Sequence, residues 1–129
     1  MKLEQLERIL RESWCRESSA YPDMWTPEMP EIGQCLSTAL VVNDYFGGEI
    51  MQGFMPWNGQ RTRIGLKLYL RHFWNVLENG TEKDFTKRQL PDNCVFTNIK
   101  SYDREFLLLV DTIAERYELL KQRILGKTI

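Results

Sequence analysis

Cys35 is the residue of this sequence best suited to nucleophilic chemistry. It follows Gly33 and Gln34, where a loop enters an apolar segment that predicts a helix. A thiol at a helix N-terminus lies at the positive end of the helix dipole and beside unpaired N–H groups, which stabilise the thiolate. The same N–H groups, with the Gln34 amide, can donate hydrogen bonds to an oxyanion on an attacked carbonyl. The alternative is that Cys35 is a small buried residue that packs the start of the helix.

His72 is the candidate base. It is the only histidine of the chain and lies in a segment of alternating apolar residues, on the same predicted strand face as Leu70 and Trp74. The sheet that contains this strand is expected to pack against the Cys35 helix, so thiol and imidazole form a candidate nucleophile and base. Trp74, two residues away, is the candidate substrate-binding aromatic residue. The alternative is a histidine that only fills the core.

Asp84 is the candidate third residue, because a carboxylate beside His72 would fix the tautomer and orientation of the imidazole. Whether it reaches the imidazole depends on the turn at Asn79 and Gly80. If these two residues alone form the turn, Asn75 lies opposite Asp84 and the carboxylate is on the wrong face of the sheet.

A three-residue loop, with Gly80 in a left-handed bulge position, gives a different register. Leu77 then pairs with Thr81, and Trp74 lies opposite Asp84. The carboxylate is then diagonal to the histidine on the same face. Both turns suit the sequence, so the residues alone leave the two registers open.

Hydrophobic spacing and turn residues predict the elements that must position these side chains. In chain order they are a helix over about Lys2 to Trp14, an aromatic loop from Ser18 to Pro30, a buried helix over about Cys35 to Tyr45, strands over Glu49 to Met55, Ile64 to Val76 and Thr81 to Thr86, and a helix through Phe106 to Ile124. Ser101 is the expected N-cap of the last helix, and Gly126 lies past its expected end.

This order predicts an α+β fold in one compact domain, residues 1–129, with an antiparallel sheet of about three or more strands. The charges nearly balance, with 17 Lys and Arg against 18 Asp and Glu, which argues against nucleic acid as a partner. The apolar runs are far shorter than the roughly 18 residues that span a bilayer. With no signal-peptide pattern, we expect a cytoplasmic protein without a membrane partner.

The cysteines and the histidine also limit the possible sites. Three cysteines without a CxxC pair do not predict a disulfide framework, and a single histidine does not predict a zinc site. We therefore expect no metal and no cofactor.

Two segments carry a resemblance to known proteins. GQCLSTALVVNDYFGGEI and HFWNVLENGTEKDFTKRQ resemble segments of the YunG-like family of small bacterial proteins, and the resemblance extends from the Trp14 region to about Gln89. More distantly, a cysteine that opens a helix, a His-x-Trp strand and an aspartate after a glycine turn resemble the core of transglutaminase-like and papain-like proteins. That resemblance implies a nucleophile, base and orienting residue at Cys35, His72 and Asp84, and it favours the three-residue turn.

Two functions remain open from the sequence. The first is a thiol hydrolase or acyl transferase that uses a Cys-His-Asp triad on an amide or ester of a peptide or small molecule; it predicts an accessible Cys35. The second is a non-catalytic binding or assembly module that uses the loop from Tyr21 to Met29 or the last helix as its interface. It predicts an inert, buried thiol and an exposed apolar patch. The last helix is also a candidate homodimer contact.

Overall fold

The computed structural model describes residues 1–55, 70–90 and 94–128, and these form the predicted α+β fold. The elements are α1 (Leu3–Ser13), α2 (Cys35–Phe46), β1 (Glu49–Met55), β2 (Leu70–Val76), β3 (Glu82–Lys83), β4 (Thr97–Tyr102), α3 (Arg104–Leu107) and α4 (Ile113–Lys127), with short 3-10 helices at Arg16–Ser18 and Lys87–Gln89. The predicted N-terminal helix, buried helix and first strand are confirmed within one or two residues.

The four strands form one antiparallel sheet in the order β3-β2-β1-β4. In the β1–β2 pair, Met51 lies opposite Trp74 and Gly53 lies opposite His72. The sheet therefore brings the histidine strand to the centre, with β1 on one side and the short β3 on the other.

Helix α2 packs on this sheet and is surrounded by the rest of the chain. Its residues from Leu36 to Val42 are all buried, as expected for a segment that is apolar on nearly every side. The Asn75 side-chain amide donates to the Ala39 carbonyl (3.0 Å) and holds α2 on β2, while the Trp14 indole donates to the Thr38 hydroxyl (2.8 Å) and holds α1 on α2. The core comprises chiefly Leu6, Leu10, Leu40, Val42, Ile50, Phe73, Leu107, Leu120 and Ile124.

The turn between β2 and β3 is the three-residue loop. The Leu77 N–H donates to the Thr81 carbonyl (2.8 Å), and the Gly80 N–H donates to the Leu77 carbonyl (2.9 Å). Gly80 has a φ of 87°, the left-handed conformation that this loop requires of its last residue. Asn75 consequently pairs with Lys83, not with Asp84, so the two-residue alternative is wrong.

Strand β3 is shorter than the predicted Thr81 to Thr86 and comprises only Glu82–Lys83. The Asp84 carboxylate accepts a hydrogen bond from the Thr86 backbone N–H (3.2 Å). This local bond between an aspartate and the backbone two residues later turns the chain and ends the strand.

The predicted long C-terminal helix is present as α4. The prediction that it runs unbroken through Phe106 to Ile124 is wrong, because this part of the chain forms two helices, α3 and α4. Thr112, the N-cap of α4, has a left-handed φ of 63°. The break falls among the β-branched residues Val110, Thr112 and Ile113, which have lower helix propensity. Residues on both sides of the break nevertheless pack in one core, in which Leu107 and Ile113 are buried, whereas Phe106 of the predicted helix is exposed.

The start and end of this C-terminal region also differ from the prediction. Ser101 lies within β4, and Asp103 is the N-cap of α3, while Gly126 lies inside α4. Strand β4 was not predicted because its residues are nearly all exposed, so it shows no alternation of apolar and polar residues.

Two further predictions concern the chain before β2 and the membrane. Of the strand predicted over Ile64 to Val76, residues 64–69 lie outside the described residues, and the rest is β2. In the described ranges, no helix has the length and apolar character needed to span a membrane.

Candidate active site

The His72 imidazole and the Asp84 carboxylate are in direct contact. His72 Nε2 lies 2.6 Å from Asp84 Oδ2, and the two side chains are only 5% and 17% exposed. The other carboxylate oxygen, Oδ1, accepts hydrogen bonds from the Thr86 N–H (3.2 Å) and hydroxyl (3.3 Å). Thr86 therefore fixes the orientation of the carboxylate that holds the imidazole, a role the sequence reasoning missed.

An aromatic stack fixes the plane of the imidazole. The His72 ring is nearly parallel to the Phe96 ring, at 8° and 5.5 Å between centroids, and also stacks with Trp74 at 6.1 Å. Trp74 and Phe96 contact each other at 4.9 Å. The Trp74 indole N–H donates to Glu82 Oε1 (3.2 Å). This buried side chain therefore has ring contacts on its face and a hydrogen bond at its edge.

Gly53 makes room for this stack. It pairs with His72 across the sheet, and a Cβ atom there would lie 2.8 Å from Phe96 Cβ and 2.9 Å from Trp74 Cη2. A glycine inside a predicted strand was the available sequence signal for such a close approach. Phe96 had no comparable signal, because it precedes a strand that the sequence did not predict.

Cys35 is the first residue of α2 and is half-buried. The Cys35 side chain contributes to raising the pKa of His72, through a hydrogen bond and through charge, so the thiol is a neighbour of the imidazole. The histidine thus has a candidate nucleophile and a carboxylate as neighbours. Burial and the charge of Asp84 raise the pKa of the Cys94 thiol, which makes that cysteine a weaker nucleophile.

The pKa of His72 reflects opposing effects. Burial favours the neutral ring and lowers the pKa, while hydrogen bonds with Asp84 and Cys35 and the charges of both groups raise it. The net result is a rise from 6.5 to about 10. The imidazolium is therefore the favoured form at neutral pH, which suits pairing with a thiolate.

Gln34 and Trp74 were predicted to contact the oxyanion or the substrate, and their contacts are with the protein itself. The fully buried Gln34 amide donates from Nε2 to the Cys15 carbonyl (2.9 Å), and its Oε1 accepts from the Ser18 hydroxyl (2.9 Å). No contact brings this amide to the thiol, and Trp74 is 7% exposed. Their roles toward a substrate stay predictions.

The backbone at the start of α2 provides other donors. The first backbone bond of the helix runs from the Thr38 N–H to the Gln34 carbonyl (2.9 Å). The N–H groups of Cys35, Leu36 and Ser37 therefore have no partner within the helix. These groups lie in the first turn of α2, which begins at Cys35, and N–H groups of this kind can donate to an oxyanion.

A search for metal ligands among residues 1–55, 70–90 and 94–128 finds no group of three or more His, Cys, Asp or Glu side chains that could hold an ion.

Comparison with known proteins gives a match over nearly the whole chain. A family model described as "YunG protein" matches residues 2–128. The protein called "Uncharacterized protein YunG" of Bacillus subtilis (strain 168) is 37% identical over 120 residues, which cover 93% of this chain and 89% of that relative. No solved structure matches significantly. The resemblance to transglutaminase-like and papain-like proteins therefore stays a prediction.

The contact with Asp84 is expected to control the titration of His72. In the Asp84→Asn variant the carboxylate charge is lost and burial still disfavours the imidazolium, so the pKa of His72 should fall by about 1 to 3 pH units. Because His72 is the only histidine, its ring resonances can be followed by proton NMR without ambiguity. Asp44→Asn is the control, since Asp44 pairs with Arg104 instead. Equal titration in wild type and Asp84→Asn would contradict the contact.

Gly53→Ala is expected to disturb the aromatic stack. The added methyl group overpacks Phe96 and Trp74, which should lower the free energy of unfolding by about 1 to 3 kcal/mol, measured by urea denaturation. Gly126→Ala is the matched control, because a Cβ there meets nothing within 4 Å and a helix interior favours alanine by roughly 0.5–1 kcal/mol. Equal effects of the two substitutions would show that Gly53 is not required by packing.

Proposed function

The chain belongs to the YunG family, and we propose that it is a thiol hydrolase or acyl transferase in which Cys35, His72 and Asp84 act as nucleophile, acid–base residue and orienting residue. One observation carries the proposal: a single buried imidazole interacts with a thiol at a helix N-terminus and, through Nε2, with a carboxylate at 2.6 Å. This is the arrangement that activates a cysteine nucleophile.

The first step follows from the charges of these groups. Cys35 attacks the carbonyl carbon of an amide or ester as a thiolate, and a carbon–sulfur bond forms. The negative charge moves to the carbonyl oxygen, where the free N–H groups of the first turn of α2 stabilise it. The His72 imidazolium then gives its proton to the leaving amine or alcohol as the carbon–nitrogen or carbon–oxygen bond breaks, leaving a Cys35 thioester.

The second step requires His72 to change from acid to base, and the same contacts provide this change. Cys35 contributes to the raised pKa of His72 through its hydrogen bond and its charge. Both contributions disappear in the neutral thioester, while burial continues to lower the pKa. Neutral His72 then accepts a proton from water or an amine that attacks the thioester carbon. The carbon–sulfur bond breaks, the acid or the new amide leaves, and Cys35 returns as a thiolate beside the imidazolium.

Asp84 acts through His72 in both steps. Its contact with Nε2 fixes the orientation of the ring and leaves Nδ1 as the nitrogen assigned to exchange the proton with Cys35 and the leaving group. Whether water or an amine resolves the thioester determines whether the reaction is hydrolysis or acyl transfer. The distant resemblance of this Cys, His and Asp pattern to transglutaminase-like and papain-like proteins implies the same assignment of the three residues.

The proposal is tested with p-nitrophenyl acetate, an activated ester that acylates accessible nucleophilic cysteines. Wild-type protein is expected to gain one acetyl group on Cys35, located by intact mass and peptide mapping. Acylation should be lost in Cys35→Ala and slowed by about 10²–10⁴-fold in His72→Gln, which removes the acid–base group.

Cys15→Ser and Cys94→Ser are the matched controls and should acylate Cys35 at the wild-type rate. Acetyl groups spread evenly over the three cysteines, or a rate that ignores His72→Gln, would contradict the proposal. That result would favour the non-catalytic binding module, for which Phe106 and Leu109, 58% and 79% exposed, are candidate contact residues.

A further inference from the structure

Glu31 is a fully buried carboxylate in the loop that leads into α2. Arg88 binds both of its oxygens, with Nε at 3.0 Å from Oε2 and one terminal nitrogen at 2.9 Å from Oε1. The same terminal nitrogen also donates to the Glu28 carbonyl (2.8 Å). A two-point arginine–carboxylate contact fixes both distance and angle between the segments that carry the two residues.

A second contact joins the same two segments. The Gly33 N–H donates to Gln89 Oε1 (3.2 Å). Within the loop itself, the Gln34 N–H donates to the Glu31 carbonyl (3.1 Å). Gly33 has a φ of 74°, and a Cβ there would clash with the Ser19 hydroxyl, so the loop has little freedom to rearrange. We call Glu31, Gly33, Arg88 and Gln89 the loop clamp.

The loop clamp connects the two segments that carry Cys35 and Asp84. On one side, Gly33 is followed directly by Gln34, the N-cap of α2, and then by Cys35. On the other side, Arg88 and Gln89 belong to the 3-10 helix Lys87–Gln89, whose N-cap Thr86 binds Asp84. Hydrogen bonds and an ion pair therefore connect the thiol segment with the aspartate segment.

We propose that the loop clamp positions Cys35 relative to the His72–Asp84 pair, and that Glu31 and Arg88 are its positioning residues. This inference rests on the proposed function for its catalytic consequence, although its structural part does not. Nucleophilic catalysis depends on placement within fractions of an ångström, so a small shift of either segment is expected to have a large effect on reactivity.

Removing Arg88 alone would leave the buried Glu31 carboxylate with only the longer contact to Arg11, at 3.7 Å, and can unfold the protein. The test variant is therefore Glu31→Met/Arg88→Met, which replaces the ion pair with apolar side chains of similar volume and is often neutral for stability. Arg88→Lys keeps the charge but loses the two-point contact. Arg11→Gln is the control, because Arg11 approaches the same carboxylate at 3.7 Å but belongs to α1.

Two readouts are measured on each variant after thermal unfolding has shown that it folds. The first is the rate of Cys35 alkylation by iodoacetamide at pH 7, and the second is the proton NMR titration of His72. In the double variant we expect alkylation about tenfold slower than in wild type and a lower His72 titration midpoint. The alkylation rate and the titration midpoint of Arg88→Lys should lie between those of wild type and the double variant. Those of Arg11→Gln should match wild type.

A folded double variant with wild-type alkylation and wild-type titration would overturn the inference. If Cys35 is alkylated at the same rate in wild type and in His72→Gln, the proposed function fails instead. The NMR titration then decides the loop clamp on its own: a midpoint that moves in the double variant but not in Arg11→Gln supports it, and an unchanged midpoint contradicts it.

Discussion

The contact between His72 and Asp84 is the interaction on which the site depends, and it is a consequence of strand register. A shift of one residue between β2 and β3 would move the carboxylate to the other face of the sheet. The Gly80 loop, with φ of 87°, prevents that shift by adding one residue to the turn. Thr86 then holds the carboxylate in the orientation that the register makes available.

Burial strengthens the interactions between these charged groups. It also costs folding free energy unless each buried charge is paired. The imidazole is buried, and Asp84 and Cys35 together keep it protonated.

The C-terminal end of the helix that carries Cys35 is fixed by Asp44, which pairs with Arg104 (2.8 Å) and accepts a hydrogen bond from Tyr117 (2.5 Å). Burial and this bond to Asp44 raise the pKa of Tyr117 to about 12, so the phenol remains a donor. The C-terminal end of α2 is thus held by an ion pair and a hydrogen bond.

The sequence predicted the parts of the site that depend on local patterns. Cys35 at a helix start follows from an apolar run after Gly33, and His72 follows from strand alternation. The sheet face on which Asp84 lies could not be predicted from these local patterns. Two turn types fit the same residues, and only the tertiary structure selects one. Phe96 and Arg88 could not be predicted either, since their contacts with His72 and Glu31 join segments that are distant in sequence. The helix break at Thr112 was concealed because residues on both sides are buried in one core.

The central claim is that His72 activates Cys35 as a nucleophile, and the rate of iodoacetamide alkylation as a function of pH tests it most directly. The rate at each of the three cysteines is measured by peptide mass spectrometry from about pH 5 to pH 10, in wild type and in His72→Gln. In wild type, Cys35 should react fastest and reach half of its maximal rate at a lower pH than Cys15 or Cys94. In His72→Gln, that half-maximal pH should rise toward those of the other two. A Cys35 profile that is the same in both proteins, or no different from those of Cys15 and Cys94, would contradict the account.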